Sequence, residues 1–315
     1  MEQNQKTIKN FWDLTQRPYT QLKLKILKNY LSAWSKIFFA TAAKHRDWAN
    51  YQELYYVDCF AGRGKYDLDG RVDHVDGSPL IALECASIFQ AQAKYSGIKL
   101  KCIFIEHGRA LAEKLDEFCR LYEHKVDYQI FKNTDFNKAV PEVLQTIGGH
   151  PAFFFIDPDG IKELKKESLT QIVSRTGPTD ILLNYIKGGV ERIAGLTRKR
   201  LPDLLTRDVS AKDLKTITAL TEFYGLDIFN NLDATEKERL KEWTSSILQS
   251  TQLKEVAVFD MPYRHRADNI YYLLFASRNK VAKKIMVDIF KQAKSHDYKG
   301  QGRLPGFIDN ESFNL

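Results

Sequence analysis

The spacing of apolar positions first predicts one long helix. Ile26, Leu27, Tyr30, Leu31, Trp34, Ile37 and Phe38 recur at intervals of three and four, while Lys25, Lys28 and Lys36 fall on the opposite side. This stripe predicts a core-packing helix over residues 20–45, with Pro18 and Thr20 as start signals. The period then changes. Short apolar runs at 54–60, 101–106, 128–131, 152–156 and 181–185 read as strands. Helical patterns at 78–95, 108–123, 136–147 and 163–174 lie between them. Ser78-Pro79 reads as a helix start, with the serine as cap. Residues 65–77, rich in Asp and Gly, read as a loop. Alternation of this kind predicts an α/β fold, with a mostly parallel sheet covered on both faces.

The rhythm breaks at residues 190–250, which read as an inserted helical subdomain. Runs at 255–261 and 270–276 then predict an antiparallel hairpin at the sheet edge, followed by a helix at 279–294. The expected organisation is an N-terminal helical segment (1–50), a Rossmann-like core (51–189), the helical insertion (190–250) and a hairpin and helix completing the sheet (251–315).

Composition adds limits on partners. The chain has 315 residues, 47 Lys and Arg against 40 Asp and Glu, and the basic excess is clustered. Residues 17–46 carry seven Lys or Arg and no acid, and residues 278–303 carry eight against two Asp. Such clusters suit an anionic partner such as nucleic acid, or simply a solvated face. No apolar run reaches membrane-spanning length, and the first ten residues lack the apolar core of a secretion signal. The expected location is the cytoplasm, with no membrane partner. Cys59, Cys85, Cys102 and Cys119 form no C-x-x-C pair and the histidines are scattered, so no metal is expected and the thiols read as reduced.

Candidate chemistry gathers at strand ends. In open α/β sheets, ligands bind beyond the carboxyl ends of the strands, where strand order reverses. The first strand ends in Asp58-Cys59-Phe60-Ala61-Gly62-Arg63-Gly64. Gly62 and Gly64 let the backbone turn tightly and approach a ligand closely, although a G-x-G after a strand is often only a turn. The third glycine of a dinucleotide fingerprint is missing, which counts against a pyrophosphate ligand. An acid before the glycines suits a ligand with a cationic end, as in S-adenosylmethionine. Glu106, at the end of the second run, can accept hydrogen bonds from two ribose hydroxyls or cap a helix. Asp135, after the third, can bind an adenine amino group or cap the helix from 136. Asp157 and Pro158 follow the fourth strand. There a carboxylate can accept a hydrogen bond from an attacking amine or hydroxyl, or merely form an Asp-Pro turn.

The segments 56–64 and 77–84, with Phe155-Ile156-Asp157-Pro158-Asp159-Gly160 and Tyr30-Leu31-Ser32-Ala33-Trp34, resemble the three-Cys-motif partner protein (TcmP) family over roughly residues 15–295. The resemblance implies a class I methyltransferase fold and S-adenosylmethionine as cofactor, and the strand-end residues Asp58, Phe60, Gly62, Gly64, Glu106 and Asp135 are the ones expected to hold it. It also implies a partner protein bearing a cysteine motif, which the four cysteines here are not. Related nucleic-acid amino-methyltransferases carry Asp or Asn, two prolines and an aromatic after strand four. This chain keeps Asp157 and Pro158 but has Asp159 and Gly160 in place of the rest. Tyr185 is then a candidate for stacking on a substrate base, and Arg198, Lys199 and Arg200 for holding an anionic substrate. The expected function is a methyltransferase acting on a macromolecular, candidate nucleic-acid substrate. The alternative is a non-catalytic Rossmann-like module that binds a partner protein or RNA.

Overall fold

The computed structural model describes residues 18–45, 49, 51–68, 71–186, 193–199, 210–225, 234–248, 251, 253–261 and 271–298. The first helix, α1 (Pro18–Lys44), is followed by β1 (Glu53–Asp58), a short hairpin of β2 (Lys65–Leu68) and β3 (Arg71–Asp76), and α2 (Ser78–Gln90). Next come β4 (Lys99–Glu106), α3 (Arg109–Cys119), β5 (Tyr128–Lys132), α4 (Phe136–Ile147), β6 (Ala152–Ile156), α5 (Lys166–Ser174) and β7 (Thr179–Ile186). The chain continues through α6 (193–199), α7 (Ala211–Tyr224) and α8 (Glu236–Leu248). The hairpin strands β8 (Glu255–Met261) and β9 (Tyr271–Ser277) precede α9 (Lys280–Tyr298).

Seven strands form one sheet in the order β5-β4-β1-β6-β7-β9-β8. The first five named are parallel, and β9 enters antiparallel between β7 and β8. This is the Rossmann-like sheet expected from the sequence, mostly parallel with an antiparallel hairpin at one edge. Strand order reverses between β1 and β6, because β4 and β5 lie to one side of β1 and β6 and β7 to the other.

Side chains alternate between two cores, as strands buried on both faces require. Tyr55, Val57, Phe154 and Ile156 face a core closed by α4, α5, α7 and α8. Leu54, Tyr56, Phe153 and Phe155 face one closed by α1, α2 and α9. Trp243 of α8 and Phe223 of α7 stack at 4.7 Å inside the first core, so the helices of the 190–250 region share the sheet's core.

Three local expectations change. Residues 65–68 and 71–76 pair as antiparallel strands in place of the expected loop, short and irregular in register between Asp67 and Leu68. Gly77, not Ser78, is the cap of α2. Glycine there has no side chain to make a cap bond, and the Ser78 hydroxyl bonds Asp58. On α1, Ile37 turns outward at 44% exposure and Phe39 takes its place in the core.

Candidate functional site

A cleft of about 600 Å³ opens where strand order reverses, within the size range of ligand sites. Its floor is the turn after β1. Gly62 and Gly64 adopt φ of 63° and 86°, the left-handed region that glycine enters without cost. The turn is closed by the Gly77 amide, which donates to the Gly64 carbonyl at 2.7 Å. A Cβ on Gly77 would stand 2.8 Å from that carbonyl oxygen, so this position also has to be glycine.

Glu106 rises behind the turn from the end of β4. Its two oxygens accept from the amides of Gly62 (2.8 Å) and Gly108 (2.5 Å). These bonds fix the carboxylate against the glycine turn. Burial nevertheless pushes its pKa up, more than the two amides lower it. Asp135 lines the same cleft and caps α4, its Oδ1 accepting from the Asn137 amide at 2.9 Å. The two readings of Asp135 are therefore compatible: one oxygen caps, and the residue still borders the cleft. Phe60 and Phe136 pack with ring centroids 5.2 Å apart on the apolar wall.

Asp157 and Pro158 form the far end. The Asp157 carboxylate pairs with Lys23 and accepts from the Asn184 side-chain amide at 2.7 Å. Lys23 is only 3% exposed, and it comes from α1. The Asn184 carbonyl oxygen is buried and has no hydrogen-bond partner among the described residues. Tyr19 of α1 and Tyr271 of β9 stack at 4.5 Å beside this group, and both line the cleft.

The structure thus brings Phe60, Gly62, Gly64, Glu106, Asp135, Asp157 and Pro158 to one cavity. Asp58 lies beneath the turn with no exposed surface, bonded by the hydroxyls of Tyr56 and Ser78 and by the Phe60 amide. Burial raises its pKa from 3.8 to about 7. Its side chain holds the turn and does not border the cleft. Tyr185 points to the other face of the sheet, 1% exposed among Phe223, Trp243 and Tyr272, with its hydroxyl on that of Tyr224. Arg198 and Lys199 lie exposed on α6, away from the cleft lining, and Arg200 lies outside the described residues.

Sequence reading misses Lys23, Tyr19 and Tyr271. Lys23 does leave a signal, since it stands at helical spacing from Leu27, Tyr30 and Trp34, a lysine on the buried stripe. Among the cleft's lining residues five carboxylates, of Glu106, Asp135, Asp157, Asp159 and Glu163, face one lysine. Such a lining favours a cationic ligand and repels an anionic one. Among the described residues no cluster could hold a metal ion, and no helix is long and apolar enough to cross a membrane.

No family model and no curated protein matches the chain. Among solved structures it is similar to a protein of Legionella pneumophila str. Philadelphia 1 from the DUF519 family model. Identity is 11%, the match covers 90% of this chain and 94% of that one, and the TM-score is 0.43. It is also similar to the DszA carbon methyltransferase, at 12% identity over 76% of this chain and 50% of that one, TM-score 0.38. The CurJ carbon methyltransferase gives 12% identity over 85% and 69%, TM-score 0.38. At such distances the strand order itself, and not these likenesses, defines the fold.

Proposed function

We propose that this protein is an S-adenosylmethionine-dependent methyltransferase of the TcmP type, acting on a macromolecular substrate. The observation that carries the reading is the acidic cleft at the point where strand order reverses, with Glu106 fixed behind the Gly62–Gly64 turn. Residue chemistry fits the cofactor. Its sulfonium and amino group are cationic, and the lining is dominated by carboxylates. Glu106 offers oxygens to ribose hydroxyls, and Asp135 offers one to an adenine amine. Gly62 and Gly64 allow close backbone approach, while Asp58 locks that turn to the start of α2.

When bound, S-adenosylmethionine supplies an activated methyl group. Asp157 accepts a hydrogen bond from the attacking amine or hydroxyl and orients its lone pair. Lys23 and Asn184 hold that carboxylate in place, so less orientation has to be gained during the reaction. Titration calorimetry with S-adenosylmethionine and S-adenosylhomocysteine tests the reading. Stoichiometric binding supports it, and absence of heat with both ligands sinks it.

One observation favours the second reading, a cofactor-binding module without transfer. Asp157 is already engaged by two protein side chains. Stable complex formation with a three-Cys-motif protein, and no methyl transfer to it or to nucleic acid from radiolabelled cofactor, would favour that module.

A further inference from the structure

Lys23 stands on the buried stripe of α1, between the buried Leu22 and Leu24. Placing a charge there costs desolvation, and a buried ion pair adds little stability over apolar residues of similar size. Packing alone therefore gives little reason for a lysine at this position. Its Nζ pairs with Asp157 and lies 5.2 Å from the centroid of the Tyr19 ring. Tyr19, Lys23, Tyr66, Asp157 and Tyr271 all line the cleft, and Lys23 is the one lysine among its described lining residues.

The carboxylate that meets this amine is the one that the methyltransferase reading sets beside the nucleophile. A carboxylate and aromatic rings together hold an alkylammonium. Helix α1 thus already places at Asp157 the kind of group that a methyl acceptor offers, a primary alkylamine. Its access is one-sided. Lys28 and Lys36 of the same helix are exposed to solvent and do not line the cleft. Lys23 is nearly closed to bulk solvent and borders the cleft, so it is open to a ligand held inside and shut to a second enzyme.

We propose that Lys23 is a site of self-methylation, taking a methyl group from the cofactor in its own cleft. The proposal rests on the methyltransferase reading and adds an acceptor to it. In the step, the Lys23 ammonium gives one proton to Asp157. The freed Nζ lone pair bonds to the methyl carbon as the carbon–sulfur bond breaks, and the electrons of that bond stay on sulfur. The products are S-adenosylhomocysteine and a methylammonium on Lys23, and the proton on Asp157 passes to water through the cleft. Methylation keeps the charge of a lysine, so the modified side chain still pairs with Asp157.

Two measurements on the full chain test this. The first reads access without any transfer. Acetic anhydride labelling, followed by peptide mapping, gives the acetylation rate of each lysine. With S-adenosylhomocysteine at about 100 times its dissociation constant, acetylation of Lys23 is expected to slow at least about ten-fold. Rates at Lys28 and Lys36 are expected to stay unchanged. The second reads the modification. After incubation with methyl-deuterated S-adenosylmethionine, the Lys23 peptide is expected to carry methyl mass of either isotope, which also counts chains modified before purification. Its first-order rate constant is expected to be independent of protein concentration. Asp157→Asn, which takes no proton, is expected to lower that constant at saturating cofactor by at least about a hundred-fold.

A Lys23 that the reagent does not reach, or reaches equally fast with ligand present, overturns the proposal. So does cofactor binding with no methyl mass on Lys23, which leaves the methyltransferase reading standing. A rate that rises in proportion to protein concentration overturns it in favour of transfer between chains, and an unchanged rate in Asp157→Asn overturns the proton's route. If neither S-adenosylmethionine nor S-adenosylhomocysteine binds, the methyltransferase reading falls and the proposal falls with it.

Discussion

At the residue scale, three carboxylates in one region have three different states. Glu106 is buried, and this lifts its pKa above the ordinary glutamate range although two amides hold its oxygens and act to lower it. Ribose hydroxyls bind best to its ionised form. Cofactor affinity is therefore expected to fall on acidification at a higher pH than an ordinary glutamate would give, and calorimetry between pH 5 and 8 checks this. Asp58 is the second. Its folded pKa of about 7 exceeds its ordinary 3.8, so the folded state binds the proton more tightly than the unfolded chain. Its contribution to stability is then full below about pH 4 and is lost as pH rises towards 7, at about 1.4 kcal/mol per unit. Asp58→Asn is expected to flatten that part of the urea stability profile, and an unchanged slope would refute the assignment. Asp157 is the third, paired with the nearly buried Lys23. Asp157→Ala strands that lysine and is expected to cost about 3 kcal/mol, while leaving S-adenosylhomocysteine binding intact and abolishing transfer. Adding Lys23→Met is expected to recover much of the stability, and a double-mutant cycle measures how much. Glycines and strand-end acids are legible in the sequence because each follows an apolar run. Lys23 shows only as a lysine on the buried stripe of α1, and its pairing is not legible, because Asp157 is far away in the chain and no local pattern marks the pair.

At the element scale, the turn after β1 and the start of α2 act together. Gly77→Ala would drive a methyl group against the Gly64 carbonyl, at 2.8 Å before any shift. This variant is expected to weaken cofactor binding by at least about ten-fold, since misplacing such a turn moves the groups it presents. A calorimetric affinity equal to wild type would show the turn to be adaptable. Another tie fixes α1 to the sheet. The Tyr30 and Ser277 hydroxyls each donate to the buried Asp180 at 2.6 Å. Strand and helix positions are readable from the apolar period, since the strands are buried on both faces and the helices on one. The β2–β3 hairpin is not, because its Asp- and Gly-rich strands lack an apolar run. Ser78 has the residue type of a cap, but a nearby buried carboxyl claims its hydroxyl. Tyr185 looks available from its position at a strand end. The sheet's alternation instead turns it into the core filled by Phe223 and Trp243.

At the scale of the whole molecule, a net charge of +7 coexists with a cleft lined by five carboxylates and one lysine. Saturating S-adenosylhomocysteine at about 100 times its dissociation constant should stabilise the protein by about 2.7 kcal/mol, readable as a thermal shift that changes little between low and high salt. The overall architecture is legible because alternating strands and helices permit few arrangements. How α1 and β9 meet at the cleft is not, because it depends on packing between distant segments.

The Tyr19–Tyr271 stack has a consequence in time. During synthesis α1 emerges early and β9 late, with the sheet strands between them. The glycine turn and Glu106 can assemble once β4 has formed. The wall that Tyr271 contributes closes only after some 270 residues have been made. Contacts this distant form late in folding. A nascent or truncated chain would thus carry a half-built pocket open on the side that Tyr271 closes, and full enclosure of a ligand would report that both ends of the fold have met.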